Sequence, residues 1–134
     1  PVLWGDMDGF GHVNKIIYLK WCETSRIELF RSIWKYKIGN MEEVLERGGT
    51  GPILANFNMD YKHPVKYPDE IEIQTYLTHI GNSSMGIGHE LFSNNNDKLV
   101  AKASSVIVMV NYISNDKVII GDKDRKILSQ YLKT

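Results

Sequence analysis

The stretch "GDMDGFGHVNKIIYLKWCETSR", residues 5–26, splits into two unlike halves. The first ten residues hold two carboxylates, three glycines, a histidine and an asparagine. From Asn14 the pattern turns helical. Ile16, Leu19, Glu23, Ile27, Phe30 and Trp34 recur at steps of three or four. Tyr18, Cys22, Ser25 and Leu29 line a neighbouring stripe, so the apolar surface is wide, as for a helix embraced by a sheet. Asn14 is the expected N-cap, and the pattern runs out near Gly39. A polar loop that empties into the longest helix sets polar chemistry beside a helix N-terminus.

Downstream, a short helix is expected over "MEEVLER", 41–47, ending at Gly48 and Gly49. Strand signals follow. In residues 53–61 the odd positions Ile53, Ala55, Phe57, Met59 and Tyr61 are expected on one apolar face. Ile71, Ile73, Thr75 and Leu77 share a face in the next strand, and Met85, Ile87, His89 and Leu91 in the one after. "SNNNDK", 93–98, is hairpin-turn chemistry. Residues 99–113 read as a long strand whose Val106, Val108 and Val110 form a second apolar face. "ISNDKVII" reads as a small hairpin, and Asp122 as the cap of a last helix. With "PVLW" as the end of a first strand, the order is strand, long helix, four antiparallel strands and a terminal helix. That order points to an α+β fold.

The 134 residues suit one domain, 1–134. Sixteen Lys and Arg balance sixteen Asp and Glu, so neither a nucleic-acid binder nor a membrane-surface binder is expected. The single Cys22 excludes an internal disulfide framework and a Cys-based zinc site. No apolar run approaches the roughly 18 residues of a membrane span. With no signal peptide, a cytoplasmic location is expected.

Asp6 and Asp8 sit two apart, and the glycines between Asp8 and His12 turn the chain sharply. The first N–H groups of a helix lack internal partners, and its dipole is positive there. Such a terminus can polarise a carbonyl or hold an oxyanion. A carboxylate base or nucleophile beside an oxyanion site supplies two parts that acyl transfer needs.

The stretch 5–26 resembles the signature of the hotdog-fold acyl-CoA thioesterases of the 4-hydroxybenzoyl-CoA thioesterase type. The matching residues are Asp6, Asp8, Gly11, His12, Val13, Asn14, Tyr18, Trp21, Glu23 and Arg26. Lys15 departs from the pattern, where the family often has a second Asn. The resemblance implies a hotdog fold, a long central helix wrapped by a curved antiparallel sheet of about five strands. It implies hydrolysis of an acyl-CoA thioester, with coenzyme A as part of the substrate and no metal or organic cofactor. Asp8 is then the catalytic carboxylate, and the N–H groups of Val13, Asn14 and Lys15 polarise the carbonyl. His12 and Asn14 orient substrate or water, with Gly11 shaping the loop. It also implies a homodimer or homotetramer.

Around this centre, Phe57, Met59, Tyr61, Tyr18 and Trp21 are candidates for an acyl pocket. Lys62, His63 and Lys66 form the nearest basic cluster. Asn82, Ser83 and Ser84 occupy the loop where relatives meet coenzyme A. Asp6, Glu23 and Arg26 are expected in support of the site. Two rival readings stand beside hydrolysis: a non-catalytic acyl-CoA binding module, and a hydratase or dehydratase using His12 with Glu23. His63, His79 and His89 show no metal-binding spacing.

Overall fold

The computed structural model describes residues 1–34 and 48–133; the expected helix over 41–47 lies outside them. Helix α1 spans Lys15–Ile33 and starts where the sequence places it: Asn14 is the N-cap, its Oδ1 accepting the Ile16 N–H at 3.1 Å. Four strands follow: β1 (Thr50–Tyr61), β2 (Ile71–Ile80), β3 (Ser84–Ser93) and β4 (Lys98–Asn111). They form one antiparallel sheet in the order β1-β4-β3-β2. Helix α2 (Asp122–Leu128) and a short 3-10 turn close the chain.

The sequence suggested about five strands, and the described residues carry four. "PVLW" leads into a 3-10 turn at Trp4–Asp6; only the Val2 N–H reaches toward the sheet, bonding the Asp69 carbonyl at 2.8 Å. "ISNDKVII" makes a turn with a single bridge, Val110 to Lys117. Gly121, not Asp122, is the N-cap of α2, and Asp122 is its first helical residue.

Two burial patterns differ from the simple periodicities. In β1 a bulge at Ala55 shifts the register between Leu54 and Asn56. An extra residue reverses the alternation. Pro52, Leu54, Phe57, Met59 and Tyr61 therefore stand opposite the core-facing Met109, Ile107, Ser105, Ala103 and Ala101 of β4, while Ile53 and Ala55 leave that face. In α1 the buried residues are Tyr18, Cys22, Arg26, Leu29, Phe30 and Ile33, leaving Ile16, Leu19 and Ile27 exposed. The second stripe, extended by Arg26, faces the sheet. The sheet strands otherwise follow expectation. Leu77, Met85, Ile87, His89 and Leu91 are fully buried. Val106, Val108 and Val110 on the outer face of β4 are half-buried rather than open.

The core falls into two clusters. One joins Phe30, Ile33 and Trp34 to Leu77, Met85, Ile87, Ile107 and Leu128. The other joins Val2, Val13, Tyr18 and Cys22 to Val65, Leu91, Val100 and Ala101. A polar chain also links the helix to the sheet: Ser25 Oγ lies 2.5 Å from Thr75 Oγ1, which lies 2.9 Å from His89 Nδ1. The Nε2 of His89 is buried with no hydrogen-bond partner. Burial, then the nearby Arg26, push its pKa down to about 4. Burial lowers the Arg26 pKa as well, and pushes the Cys22 thiol up to about 12 against the pull of Arg26. On the opposite face of the sheet, Gly86 and Gly88 make room for side chains from β2. A Cβ on Gly88 would stand 2.5 Å from the Tyr76 ring.

Candidate active site

Residues 7–13 form a tight loop closed by an antiparallel bridge between Met7 and Val13. Inside it the Asp8 N–H donates to the His12 carbonyl at 2.8 Å and the Gly11 N–H to the Asp8 carbonyl at 3.2 Å. Gly11 sits at φ +79°, a conformation open to glycine at little cost. Asp8 turns its side chain back into this loop. Its Oδ1 accepts the Phe10 N–H at 2.8 Å and, more weakly, the His12 N–H at 3.4 Å. Its Oδ2 meets no donor among the described residues, and the residue is exposed. The carboxylate is thus oriented by backbone through one oxygen and open through the other.

Asp6 has a different task. Its Oδ2 accepts the Leu3 N–H at 2.8 Å, and its carbonyl accepts the Asn14 N–H at 2.9 Å.

Of the three amides expected to face a substrate carbonyl, two are occupied. The Val13 N–H donates to the Val65 carbonyl at 2.8 Å, and the Asn14 N–H to Asp6. The loop spends these donors on holding itself to the residues around it. Ile16 and Ile17 both donate to Asn14, at 3.1 and 2.9 Å. Lys15 is left as the start of α1 whose N–H has no acceptor among the described residues.

Behind the loop stands an aromatic group. Tyr18 is fully buried, with its ring 5.3 Å from Trp21 and 5.1 Å from Tyr61. Lys15 Nζ lies 4.3 Å from the centre of the Tyr61 ring and 5.4 Å from that of Tyr18. The Tyr18 hydroxyl is buried without a hydrogen-bond partner, and burial, then Tyr61, raise its pKa. Phe57 and Met59 are half-buried against the same cluster. These five residues pack together.

Other candidates disperse. Lys62 and His63 are exposed, and their N–H groups both donate to the Val100 carbonyl. Asn82, Ser83 and Ser84 lie at the far end of β2, ten residues from the end beside the loop, or roughly 30 Å along a strand. There Arg125 holds the Gly81 and Asn82 carbonyls. Glu23 is an exposed partner of buried Arg26, at 4.0 Å. It stands about 12 Å up the helix from Lys15, which separates it from His12. Among the described residues no three His, Cys, Asp or Glu side chains converge as a metal site, and no helix is long and apolar enough to cross a membrane.

Sequence reading missed the interior chain of Ser25, Thr75 and His89. Its signal was His89 on an apolar strand face. It also missed Tyr67, whose N–H meets the Met7 sulfur at 3.3 Å and so borders the loop.

Known structures share this fold. A protein described as a predicted thioesterase from Bacillus stearothermophilus is 25% identical, with a TM-score of 0.83 over 100% of this chain and 92% of that one. A Thermus thermophilus thioesterase, solved with coenzyme A and zinc, is 25% identical with a TM-score of 0.76, over 97% and 88% of the two chains. A thioesterase-superfamily protein from Jannaschia sp. reaches a TM-score of 0.86 at 14% identity, over 99% and 90%, a likeness of fold. No match was found among curated proteins. Residues 2–123 match the family profile described as the thioesterase-like superfamily. With the hotdog-like α+β fold and the loop ahead of α1, this places the chain in the thioesterase-like superfamily.

Proposed function

We propose that the protein hydrolyses an acyl-CoA thioester to the free acid and coenzyme A, in the manner of the 4-hydroxybenzoyl-CoA thioesterase type. The observation that carries this reading is the Asp8 carboxylate, fixed by loop amides through Oδ1 and open at Oδ2, directly ahead of the N-terminus of α1. In this reading the Lys15 N–H receives the thioester carbonyl, where the helix dipole favours developing negative charge. Asp8 takes a proton from water, and the hydroxide adds to the carbonyl carbon. The carbon–sulfur bond then breaks, and the thiolate leaves with the proton. Direct attack by Asp8 through an anhydride is the alternative route to the same products. Trp21, Phe57, Met59 and Tyr61 line the acyl group beside Tyr18, and His12 orients the water. A pure binding module gains nothing from an open carboxylate at this position.

We also propose a homodimer. Strand β1 is a twelve-residue edge, and Ile53 and Leu54 on it are exposed. Unpaired strand edges invite pairing with another chain.

The test is to incubate the protein with a panel of acyl-CoAs and follow free thiol. Thiol release is expected with at least one. Binding without release, or a change in enoyl absorbance without release, overturns the reading.

A further inference from the structure

The inner face of the sheet changes character halfway along. Leu91 and Ala101 belong to one apolar cluster, and Met85, Ile87 and Ile107 to the other. Between them stand His89 on β3 and Ser105 on β4, diagonal neighbours in a register that sets His89 opposite Ala103 and Ile87 opposite Ser105. Arg26, midway along α1, is only 6% exposed and lies near His89. We propose that this polar layer receives a carboxylate at the far end of the acyl group. The preferred substrates are then acyl-CoA thioesters of medium length whose chain ends in a carboxylate. The proposal rests on the hydrolysis reading above and names its acyl class.

The groups of the layer are unmatched. The Arg26 guanidinium makes no hydrogen bond among the described residues, and its carboxylate neighbour, Glu23, is exposed and 4.0 Å away. The Nε2 of His89 and the Oγ of Ser105 are buried with no partner. A guanidinium taken out of water calls for a close anion, and a buried hydroxyl or imidazole for a hydrogen-bond partner. A carboxylate answers all three. Its two oxygens match the guanidinium fork and keep lone pairs for further donors. Ser105 can donate from its hydroxyl. His89 can donate from Nε2 when its Nδ1 accepts the Thr75 hydroxyl, 2.9 Å away.

The layer is also accessible. Ser25 reaches β2 from one flank of the buried stripe of α1. Arg26 lies about 100° further round the helix, on the flank turned away from β2. Coverage of the inner face falls off in the same direction. Ile87, His89 and Leu91 of β3 are fully buried, whereas on β1 Phe57 and Met59 are half-buried and Leu54 and Tyr61 exposed. A trough therefore runs along β1 beside the helix. Phe57 stands opposite Ser105 and Met59 opposite Ala103, so the trough leads to the layer. Glu23 is exposed, so its pairing with Arg26 is weak. A carboxylate arriving along the trough takes its place.

The dimensions set the chain length. Arg26 stands about 16 Å along the helix from Lys15. Side chains on a helix lean toward its N-terminus, which shortens the gap. With the thioester at the start of α1, a medium-length chain spans the rest, its methylenes against Phe57 and Met59.

The experiment compares suberyl-CoA with octanoyl-CoA, equal in length and different in the terminal carboxylate, by thiol release from the full chain. The kcat/KM is expected to be at least tenfold higher for suberyl-CoA. Arg26→Met is expected to abolish that ratio, Arg26→Lys to restore part of it, and Ser105→Ala to reduce it severalfold. A purely structural role for Arg26 or Ser105 does not move the ratio. Calorimetric titration with free suberate and octanoate gives a readout independent of turnover: suberate is expected to bind at least tenfold tighter, and Arg26→Met to erase the difference. Thiol release at equal rates from both thioesters overturns the carboxylate receptor and leaves hydrolysis standing. A preference that Arg26→Met or, should that variant not fold, Ser105→Ala leaves intact also overturns it. Suberate binding that depends on Arg26, in a protein that releases no thiol from any acyl-CoA, upholds the receptor and removes the activity.

Discussion

Asp8 Oδ1 accepts the N–H of Phe10 at 2.8 Å, a bond between residues two apart that aims the carboxylate without using its second oxygen. An asparagine can keep that bond while losing the charge and the basicity. Asp8→Asn is therefore expected to fold normally and to lose about 10²–10⁴-fold in kcat, the typical worth of general-base catalysis. Asp6→Asn can keep the bond to Leu3 and is expected to cost far less. Steady-state kinetics on the two variants with one active thioester check this. Loss in Asp6→Asn with activity kept in Asp8→Asn identifies the wrong carboxylate, and full activity in both removes the mechanism.

Gly11 has open space around the position of a Cβ, so its constraint is the backbone angle of +79° and not a clash. Gly11→Val is expected to lower stability by about 1–2 kcal/mol, the cost of a left-handed conformation for a residue with a Cβ. The same change is expected to reduce kcat at least tenfold, because it re-aims the Phe10 and His12 amides. Chemical denaturation and turnover, measured on one preparation, separate the two effects. Normal turnover shows that the loop only connects.

His89 gives stability a pH dependence. The ordinary histidine value is 6.5, and in the folded protein it falls to about 4. Between those values the unfolded chain takes up a proton that the folded chain refuses. Stability is full above pH 6.5 and is lost as the pH falls through this window, by on the order of 3 kcal/mol. His89→Leu is expected to flatten that slope, whatever it does to the baseline. Urea midpoints at several pH values check it, and an unchanged slope in the variant overturns the assignment.

For assembly, light scattering at micromolar concentration is expected to give about twice the chain mass of 15.4 kDa, or a higher multiple. A Lys at Leu54, on the β1 edge, is expected to shift the protein toward monomer. A wild-type monomer at that concentration excludes pairing through this edge.

Much of this architecture was legible where one residue type determines one local structure. Asn14 as a helix cap, the Asn-rich turn after Ser93, and the alternation through β2 and β3 depend on near neighbours alone. The β1 face was misread because a bulge at Ala55 follows from pairing with β4, which no short window contains. The helix face was misread because Arg26 is charged yet buried, while Ile16 and Leu19 are apolar yet exposed. In the site, the motif located Asp8 and the loop. It could not show that Val13 and Asn14 spend their amides on Val65 and Asp6, since those partners are set by the folded path of the chain.

The Ser25–Thr75–His89 chain has a consequence for how α1 sits on the sheet. It lies among apolar side chains, where hydroxyls and an imidazole are costly to leave unmatched. Sliding α1 by one turn against the sheet would strand the Ser25 hydroxyl and take from Thr75 its link to the helix, while Thr75 and His89 stay paired within the sheet. The chain therefore acts as an indexing peg. It fixes the helix at one notch on the sheet, and with it the first turn, where Asn14 joins the Asp8 loop. A polar contact near the middle of α1 thus sets the register of the helix end from which the Asp8 loop departs.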